Sequence, residues 1–209
     1  MVNVASPNVD FRRRSVDLAT ATVALAEAIG ATGVVIHAGA AGASTERSIA
    51  LGLAAASLVA IGEAARETSV FVELTAGGTG SVASTFPQFR ELLEACSAHP
   101  RLALCADTCH LFAAGYDLHS RKGVNRCLEE VRRLRLTRRL RLIHANDSKF
   151  PRGARRDSHT HIGEGHIGEA GFRALLHHPL VRNCTVLCET PGRLEDHRRN
   201  IATLRRLAA

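Results

Sequence analysis

The sequence predicts an α/β fold of the TIM-type (β/α) barrel class, in an incomplete form with five of the eight strands present. Two observations carry this prediction. Five short β-branched or aliphatic runs each end in a His, Glu or Asp, and amphipathic helical patterns separate the runs. The polar residues that end successive runs lie 36, 34, 37 and 45 residues apart, which suits a repeating strand, loop, helix and loop. We therefore expect a single, partial barrel domain over residues 1–209.

The five runs predict buried parallel strands, because each is largely apolar and leads into a loop that contains Gly, Thr or Asn. In chain order they are "VVIHAG" at 34–39, "VFVELTAGG" at 70–78, "LALCADTCH" at 102–110, "LRLIHANDS" at 140–148 and "TVLCETPG" at 185–192.

Helical patterns lie between the runs, with apolar residues recurring at the spacing of one helix face. They are "RSVDLATATVALAEAIG" at 14–30, "TERSIALGLAAASLVAIGEAAR" at 45–66, "FPQFRELLEACSAH" at 86–99 and "CLEEVRRLRLTRRL" at 127–140. The first pattern closes on Gly30, a residue type that commonly ends helices. The basic run "RRLRLTRR" at 132–139 lies on the last predicted helix, and we interpret it as surface charge.

The charge balance favours a polyanionic partner such as nucleic acid. The chain has 27 Lys and Arg against 20 Asp and Glu, a formal net charge of +7 and a pI near 9.7. It contains no secretory signal pattern, no P-loop, and no run of the roughly 20 apolar residues that would span a bilayer. These features predict a cytoplasmic protein without a membrane partner, whose six cysteines stay reduced and serve in packing.

Ionisable side chains end all five predicted strands. Because the carboxyl ends of the strands in a barrel lie at one rim, these side chains would converge there. Clustered charges of one sign repel and are costly to desolvate unless cations neutralise them. The sequence therefore predicts a metal centre formed by the five residues that end the runs: His37, Glu73, Asp107, His144 and Glu189.

Further metal-type residues follow two of the strands. His110 comes about one helical turn after Asp107, so the two can address different ions of one cluster. Residues 144–168 form a long metal-site loop, in which Asp157 and His159 stand two apart as a chelating pair. Histidine and carboxylate ligands together favour zinc, manganese or iron over calcium or magnesium.

The same loop carries basic residues suited to a phosphate backbone. Lys149 follows the strand end closely, and Arg155 and Arg156 stand next to the chelating pair. We predict that these three residues contact DNA. His161 and His166 are either surface residues of a glycine-hinged loop or supports for the ligands, and the sequence leaves both interpretations open.

These residues resemble the endonuclease IV family of apurinic/apyrimidinic (AP) endonucleases. The motifs that carry the resemblance, in the family's order, are "VIHAGA", "ELTAGGTG", "CADTCHLFAAGYD", "HANDSK", "RRDSHTHIGEGHIG" and "LCETP". The resemblance implies a TIM barrel with three zinc ions that cleaves double-stranded DNA on the 5′ side of an abasic site in base excision repair. We expect the protein to act as a monomer.

The resemblance implies how the ligands are shared among the ions. The first ion would take His37 and Glu73, and Glu73 would bridge it to the second. The other ligands would divide into Asp107, His144 and Glu189 for the second ion, and His110, Asp157 and His159 for the third. The ions would activate the attacking water and stabilise charge on the phosphate, so Glu73 and Glu189 would have catalytic roles.

The chain departs from the family pattern at its start, since "MVNVASPN" matches the segment just after the family's third strand. The preceding part would carry one more histidine for the ion at His37 and Glu73. We expect a reading frame that begins upstream; the alternatives are a degraded paralogue and a partner that closes the sheet.

Two other functions stay open. A divalent-metal sugar isomerase or epimerase would use the same barrel class with His, Asp and Glu at strand ends, but it would need only one or two ions. An inactive, truncated paralogue that binds DNA is the second alternative.

Overall fold

One or more helices separate each of the five predicted strands from the next, as the spacing of the sequence pattern predicts. The computed structural model describes residues 2–209, and no helix within that range is both long and apolar enough to cross a bilayer. The chain divides into two compact units, one ending at Cys105 and the other comprising Ala106–Ala209. The boundary between them falls within the third strand of the chain.

The first unit contains three helices, two complete parallel strands and the greater part of a third. In chain order they are α1 (Val9–Ala28), β1 (Gly33–His37), α2 (Arg47–Glu63), β2 (Ser69–Glu73), α3 (Phe86–Ala95) and β3 (Leu102–Asp107). The middle strand, β2, pairs in parallel with β1 and with β3. Every residue of β2 and β3 is buried, whereas β1 is partly exposed. In this register His37 lies directly opposite Glu73, so the two side chains project on the same side of the sheet.

Helix α1 begins earlier than its sequence pattern predicts and ends where the pattern ends. Asn8 caps it, with Oδ1 accepting a hydrogen bond from the N–H of Phe11 at 2.9 Å. At the other end Gly30 has φ +69°, and the N–H of Ala31 donates back to the carbonyl of Ala26 at 2.8 Å. This is the Schellman ending that glycine favours, and it confirms the predicted end of the helix.

The second unit contains four helices and four complete strands. In chain order they are α4 (Thr108–Ala113), α5 (Arg121–Arg133), β4 (Leu140–His144), β5 (Asp147–Ser148), β6 (His159–Thr160), α6 (Gly168–Leu176), β7 (Thr185–Leu187) and α7 (Leu194–Ala208). β4 and β7 pair in parallel, while the two short strands β5 and β6 pair antiparallel. The five predicted strands are thus β1, β2, β3, β4 and β7. The sequence pattern does not predict α4, α6 or α7.

The predicted helix over 127–140 is wrong at both ends: α5 is Arg121–Arg133, so it begins and ends earlier than predicted. Arg135 adopts a left-handed φ of +57°, and the N–H of Leu136 donates back to the carbonyl of Val131 at 2.9 Å. At the end of the helix the turn at Arg135 accompanies burial, since Leu136, the next residue, is 0% exposed. Only the first two residues of the basic run are therefore helical.

The cysteines behave as packing residues, as predicted. No disulfide joins any of them within residues 2–209, and four of the six are buried. Burial raises the pKa of the Cys96 and Cys109 thiols to about 11. Both thiols are therefore protonated at neutral pH.

Candidate metal centre

His37 and Glu73 are the predicted ligands in the first unit. Each is the last residue of its strand, and the strand register sets the two opposite one another. His37 Nε2 lies 3.1 Å from Glu73 Oε2. The His37 side chain is 48% exposed and that of Glu73 is 6% exposed, so a buried carboxylate faces an accessible imidazole.

Asp107 anchors the predicted ligands of the second unit. It ends β3, is 0% exposed, and caps α4, because its Oδ1 accepts a hydrogen bond from the N–H of His110 at 2.9 Å. Its Oδ2 accepts a hydrogen bond from Asn146 Nδ2 at 2.6 Å. Since both oxygens are held, the carboxylate has a fixed orientation.

His144 and Glu189 form a group with Asp107. His144 ends β4 and is buried, and its Nδ1 lies 3.0 Å from Glu189 Oε2. Glu189 lies two residues beyond β7, and its side chain is 51% exposed. One ligand atom from each of the three residues lies within 4.8 Å of the others. The Asp107 group, as we call these three residues, could therefore hold a metal ion.

A second group consists of His110, Asp157 and His159, and we call it the Asp157 group. Asp157 lies between the two histidines, with Oδ2 at 3.1 Å from His110 Nε2 and Oδ1 at 3.1 Å from His159 Nε2. The ligand atoms of all three lie within 4.8 Å of one another. His159 Nε2 is also 3.6 Å from Asp107 Oδ2, so the two groups adjoin.

The tautomer of His159 indicates that a cation fits the Asp157 group. His159 Nδ1 lies 3.2 Å from the backbone oxygen of Glu189, and since a carbonyl oxygen only accepts, Nδ1 carries the proton. In the neutral ring Nε2 then presents a lone pair. This atom is buried, and among residues 2–209 it has no partner with hydrogen-bond geometry, although Asp157 Oδ1 is 3.1 Å away. Two electron-rich atoms this close repel unless a proton or a metal ion lies between them.

Without a metal ion, a proton takes that place. The contact with His110, and then the contact with His159, hold the pKa of the Asp157 carboxyl well below its usual range. Burial tends to lower the pKa of His159, but the contact with Asp157 and the charge of Asp107 outweigh it and raise that pKa. The metal-free group therefore favours an imidazolium beside a carboxylate, and a metal ion has to displace the proton.

Two buried polar residues of the site were not found by sequence reasoning. Asn146 and Asp147 are both 0% exposed. Besides its bond to Asp107, Asn146 accepts a hydrogen bond on Oδ1 from the backbone N–H of Glu189 at 2.8 Å. The signal that could identify them is their position directly after a buried strand, in "HANDS".

The three basic residues predicted to bind DNA are exposed on the loop that carries Asp157 and His159. The guanidinium of Arg156 lies 3.8 Å from the centroid of the Phe150 ring. Two backbone hydrogen bonds hold the loop near these residues. The N–H of Lys149 donates to the Ser158 carbonyl, and the N–H of Arg155 donates to the Ala113 carbonyl. Their role in DNA binding stays a prediction.

His161 and His166, which the sequence left open, make different contacts. His161 Nδ1 lies 3.1 Å from Asn200 Nδ2, and Asn200 also donates to Thr190 Oγ1 at 2.8 Å. His161 is thus connected to the segment that follows Glu189. The backbone N–H of His166 donates to the Ser148 carbonyl at 2.9 Å.

Comparisons with known proteins identify one family. Residues 1–207 match the model of the xylose isomerase-like TIM barrel family. A Streptomyces coelicolor protein named "Probable endonuclease 4" is 39% identical over 99% of this chain and 71% of its own length. The crystal structure of endonuclease IV from Thermus thermophilus has a TM-score of 0.83 at 28% identity, over 99% of this chain and 72% of that one.

A D-tagatose 3-epimerase-like protein shows the same fold, with a TM-score of 0.77 at 20% identity over 99% of this chain and 73% of that one. The predicted fold class is therefore confirmed. The chain is an incomplete TIM-type barrel, and it belongs to the endonuclease IV family.

Proposed function

We propose that this chain is a zinc-dependent AP endonuclease that hydrolyses the DNA phosphodiester on the 5′ side of an abasic site in base excision repair. The observation that carries the proposal is the buried Nε2 lone pair of His159, which faces the Asp157 carboxylate at 3.1 Å, so that a proton or a metal ion has to lie between them. The relatives named endonuclease 4 support the reaction class. The same proposal has the chain act on genomic DNA in the cytoplasm, as a monomer.

The donor sets suit zinc. His110 and His159 offer two imidazoles and Asp157 a carboxylate, and three such ligands with an open position are typical of catalytic zinc sites. The Asp107 group would hold a second ion, and His37 and Glu73 would take part in holding a third. When bound, zinc supplies positive charge that polarises a phosphoryl oxygen and makes a water molecule a better nucleophile.

Glu189 has the clearest catalytic position among the residues of the second unit. Its carboxylate belongs to the Asp107 group yet is 51% exposed, so it is accessible to a substrate phosphate and to water. Asp107 and His144 are buried and cannot take that role. We assign to Glu189 the acceptance of the proton that the attacking water loses, and to the buried Glu73 a second catalytic role.

The exposed cations of the loop would hold the DNA. Lys149, Arg155 and Arg156 can contact phosphates, which fixes the position of the backbone and reads no sequence. Because the loop also carries Asp157 and His159, phosphate contacts there would set the register of the DNA relative to the ligands. The formal net charge of +7 agrees with a polyanionic substrate.

The test is a nicking assay on a duplex oligonucleotide with a single abasic analogue. We expect one cut on the 5′ side of the analogue, leaving a 3′-hydroxyl; the activity should disappear with a chelator and return with Zn²⁺. An intact duplex of the same sequence is the control substrate. Binding without a cut would favour the inactive paralogue.

Metal content separates the nuclease from the sugar isomerase or epimerase. The nuclease should hold up to three zinc ions per chain. One or two ions per chain, together with turnover of a ketose and no nicking, would favour the sugar enzyme.

A further inference from the structure

Asp147 is a carboxylate surrounded by backbone N–H groups. It is 0% exposed, and its Oδ1 accepts hydrogen bonds from the N–H groups of Ser148 at 2.8 Å and Ile167 at 2.9 Å. Its Oδ2 accepts three more, from Gly163 at 3.0 Å, Gly165 at 3.1 Å and Gly168 at 3.1 Å. A buried carboxylate is costly unless hydrogen bonds of this kind replace its hydration. Here the five N–H donors take the place of the water molecules that would hydrate the carboxylate.

Glycines in the local sequence allow the backbone to surround the Asp147 carboxylate in this way. Gly163 has φ +87° and Gly168 has φ +69°, conformations that glycine adopts without strain and that turn successive N–H groups toward one anion. Gly165 has no room for a side chain, because a Cβ there would collide with Asp147 Oδ1 and with the Ser148 carbonyl.

Asp147 also stabilises the start of α6. The cap residue of that helix, Ile167, supplies no side-chain cap of its own. Asp147 instead accepts hydrogen bonds from the N–H groups of Ile167 and Gly168. A negative charge at this end interacts favourably with the helix dipole. Asp147 therefore holds the loop and the start of α6 together.

These contacts close the loop that bears Asp157 and His159. One end of it leaves β5 at Ser148, and the other end returns through β6 to residues 163–168, which Asp147 holds. The N–H of His166 adds a bond to the Ser148 carbonyl at 2.9 Å. Asp147 therefore contacts both ends of this loop, through the N–H groups of Ser148 and of residues 163–168.

We propose that Asp147 is a positioning residue for metal binding: its five backbone hydrogen bonds set the loop 149–162 so that Asp157 and His159 meet His110. The effect on metal binding rests on the proposed function, whereas the closure of the loop by Asp147 is independent of it. Removing the carboxylate should then weaken one metal site and leave the others unchanged.

The metal-free wild-type chain tests the closure alone. Hydrogen exchange should show slow exchange of the N–H groups of Gly163, Gly165, Ile167 and Gly168, and trypsin should cut slowly after Arg152, Arg155 and Arg156. The Asp147→Asn variant replaces one acceptor oxygen by an NH₂ group that faces N–H donors. It should lose the protection and be cut about ten times faster.

Zn²⁺ binding tests the positioning, by titration against a chromophoric chelator. Asp147→Asn should bind one Zn²⁺ about 10–100-fold more weakly than the wild type and bind the rest equally well, as expected for a residue that supports ligands. Glu169→Gln is the matched control: it removes a carboxylate from the same end of α6, but that carboxylate binds Arg206. It should match the wild type in both measurements.

Gly165→Ala is the second variant. It displaces the same contacts but keeps the Asp147 carboxylate and every proposed metal ligand. If Asp147→Asn does not fold, Gly165→Ala tests the positioning role of Asp147 in its place. Folded variants that bind all their Zn²⁺ like the wild type would overturn the inference. Fast exchange of the four N–H groups in the wild type would do the same. A wild type that shows the protection but takes up no Zn²⁺ would instead overturn the proposed function.

Discussion

The side-chain amide of Asn146 joins Asp107 to Glu189. Nδ2 donates to Asp107 Oδ2 at 2.6 Å, and Oδ1 accepts from the N–H of Glu189 at 2.8 Å. The backbone of Asn146 is held as well, since Thr108 Oγ1 contacts its N–H at 2.8 Å and its carbonyl at 2.6 Å. One buried residue thus orients a carboxylate of the Asp107 group and fixes the chain at another.

We expect Asn146→Asp to weaken metal binding by about 10–100-fold. The substitution keeps the shape of the side chain but replaces the donor to Asp107 with an oxygen, so two carboxylates would face each other in the interior. Competition between the protein and a chelator for Zn²⁺ measures the change. The control is Asn125→Asp, which adds the same charge on an exposed face of α5. Equal Zn²⁺ affinity in the two variants would contradict the role given to Asn146.

We expect Glu189→Gln to reduce the rate of nicking by about 100-fold or more, as the loss of a proton acceptor commonly does. Binding of the abasic duplex should change little, because the side chain is half exposed and the substitution is isosteric. Single-turnover nicking and equilibrium binding separate the two effects. Glu164→Gln, which removes an exposed carboxylate that faces Arg199, should nick at the wild-type rate. An unchanged rate in Glu189→Gln would remove this residue from the mechanism.

Much of the site's framework could be predicted because strand ends are local features. His37, Glu73, Asp107 and His144 end the strands that their apolar runs predict. The chelating pair needed only a spacing of two residues. Asp157 and His159 do lie 3.1 Å apart, although their role as ligands stays a prediction.

Asn146 and Asp147 could not be predicted in the same way, because their roles depend on distant partners. The N–H donors that hold Asp147 lie as far as 21 residues along the chain, and Asn146 contacts Asp107 across 39 residues. From the sequence alone, a polar residue after a strand predicts only a loop, because its distant partners are not known. The end of α5 was wrong for a related reason, since the burial of Leu136 outweighs the helical pattern around it.

The basic residues of the loop should make DNA binding depend on salt. We expect Lys149→Ala and Arg156→Ala each to weaken binding equally for abasic and intact duplexes, because phosphate contacts read no base. Each should lower the slope of log K against log salt concentration by about 1. Binding measured at several KCl concentrations gives the slope. The exposed Arg138 lies outside the loop, so Arg138→Ala should keep the wild-type slope.

The metal-free Asp157 group should stabilise the chain within a limited pH range. The pKa of Asp157 is lowered, so its contribution is present above the usual carboxyl pKa of about 4 and is lost as the pH falls through the lowered value. The pKa of His159 is raised, so its contribution is complete below the usual imidazole pKa of about 6.5 and is lost as the pH rises through the raised value. Both contributions are therefore present between about pH 4 and 6.5.

We accordingly expect Asp157→Asn to lower the thermal midpoint of the metal-free chain more at pH 5.5 than at pH 9, because only at the lower pH does it remove a partner from a charged imidazole. Thermal unfolding in a chelator at the two pH values measures the difference. Ser158→Ala, a neutral change of the neighbouring residue, should shift the midpoint equally at both. Zn²⁺ binding by the wild type should follow the opposite trend and strengthen as His159 loses its proton, since the ion and the proton compete for Nε2. Affinity for Zn²⁺ that does not rise with pH would show that the proton and the metal ion do not share this atom.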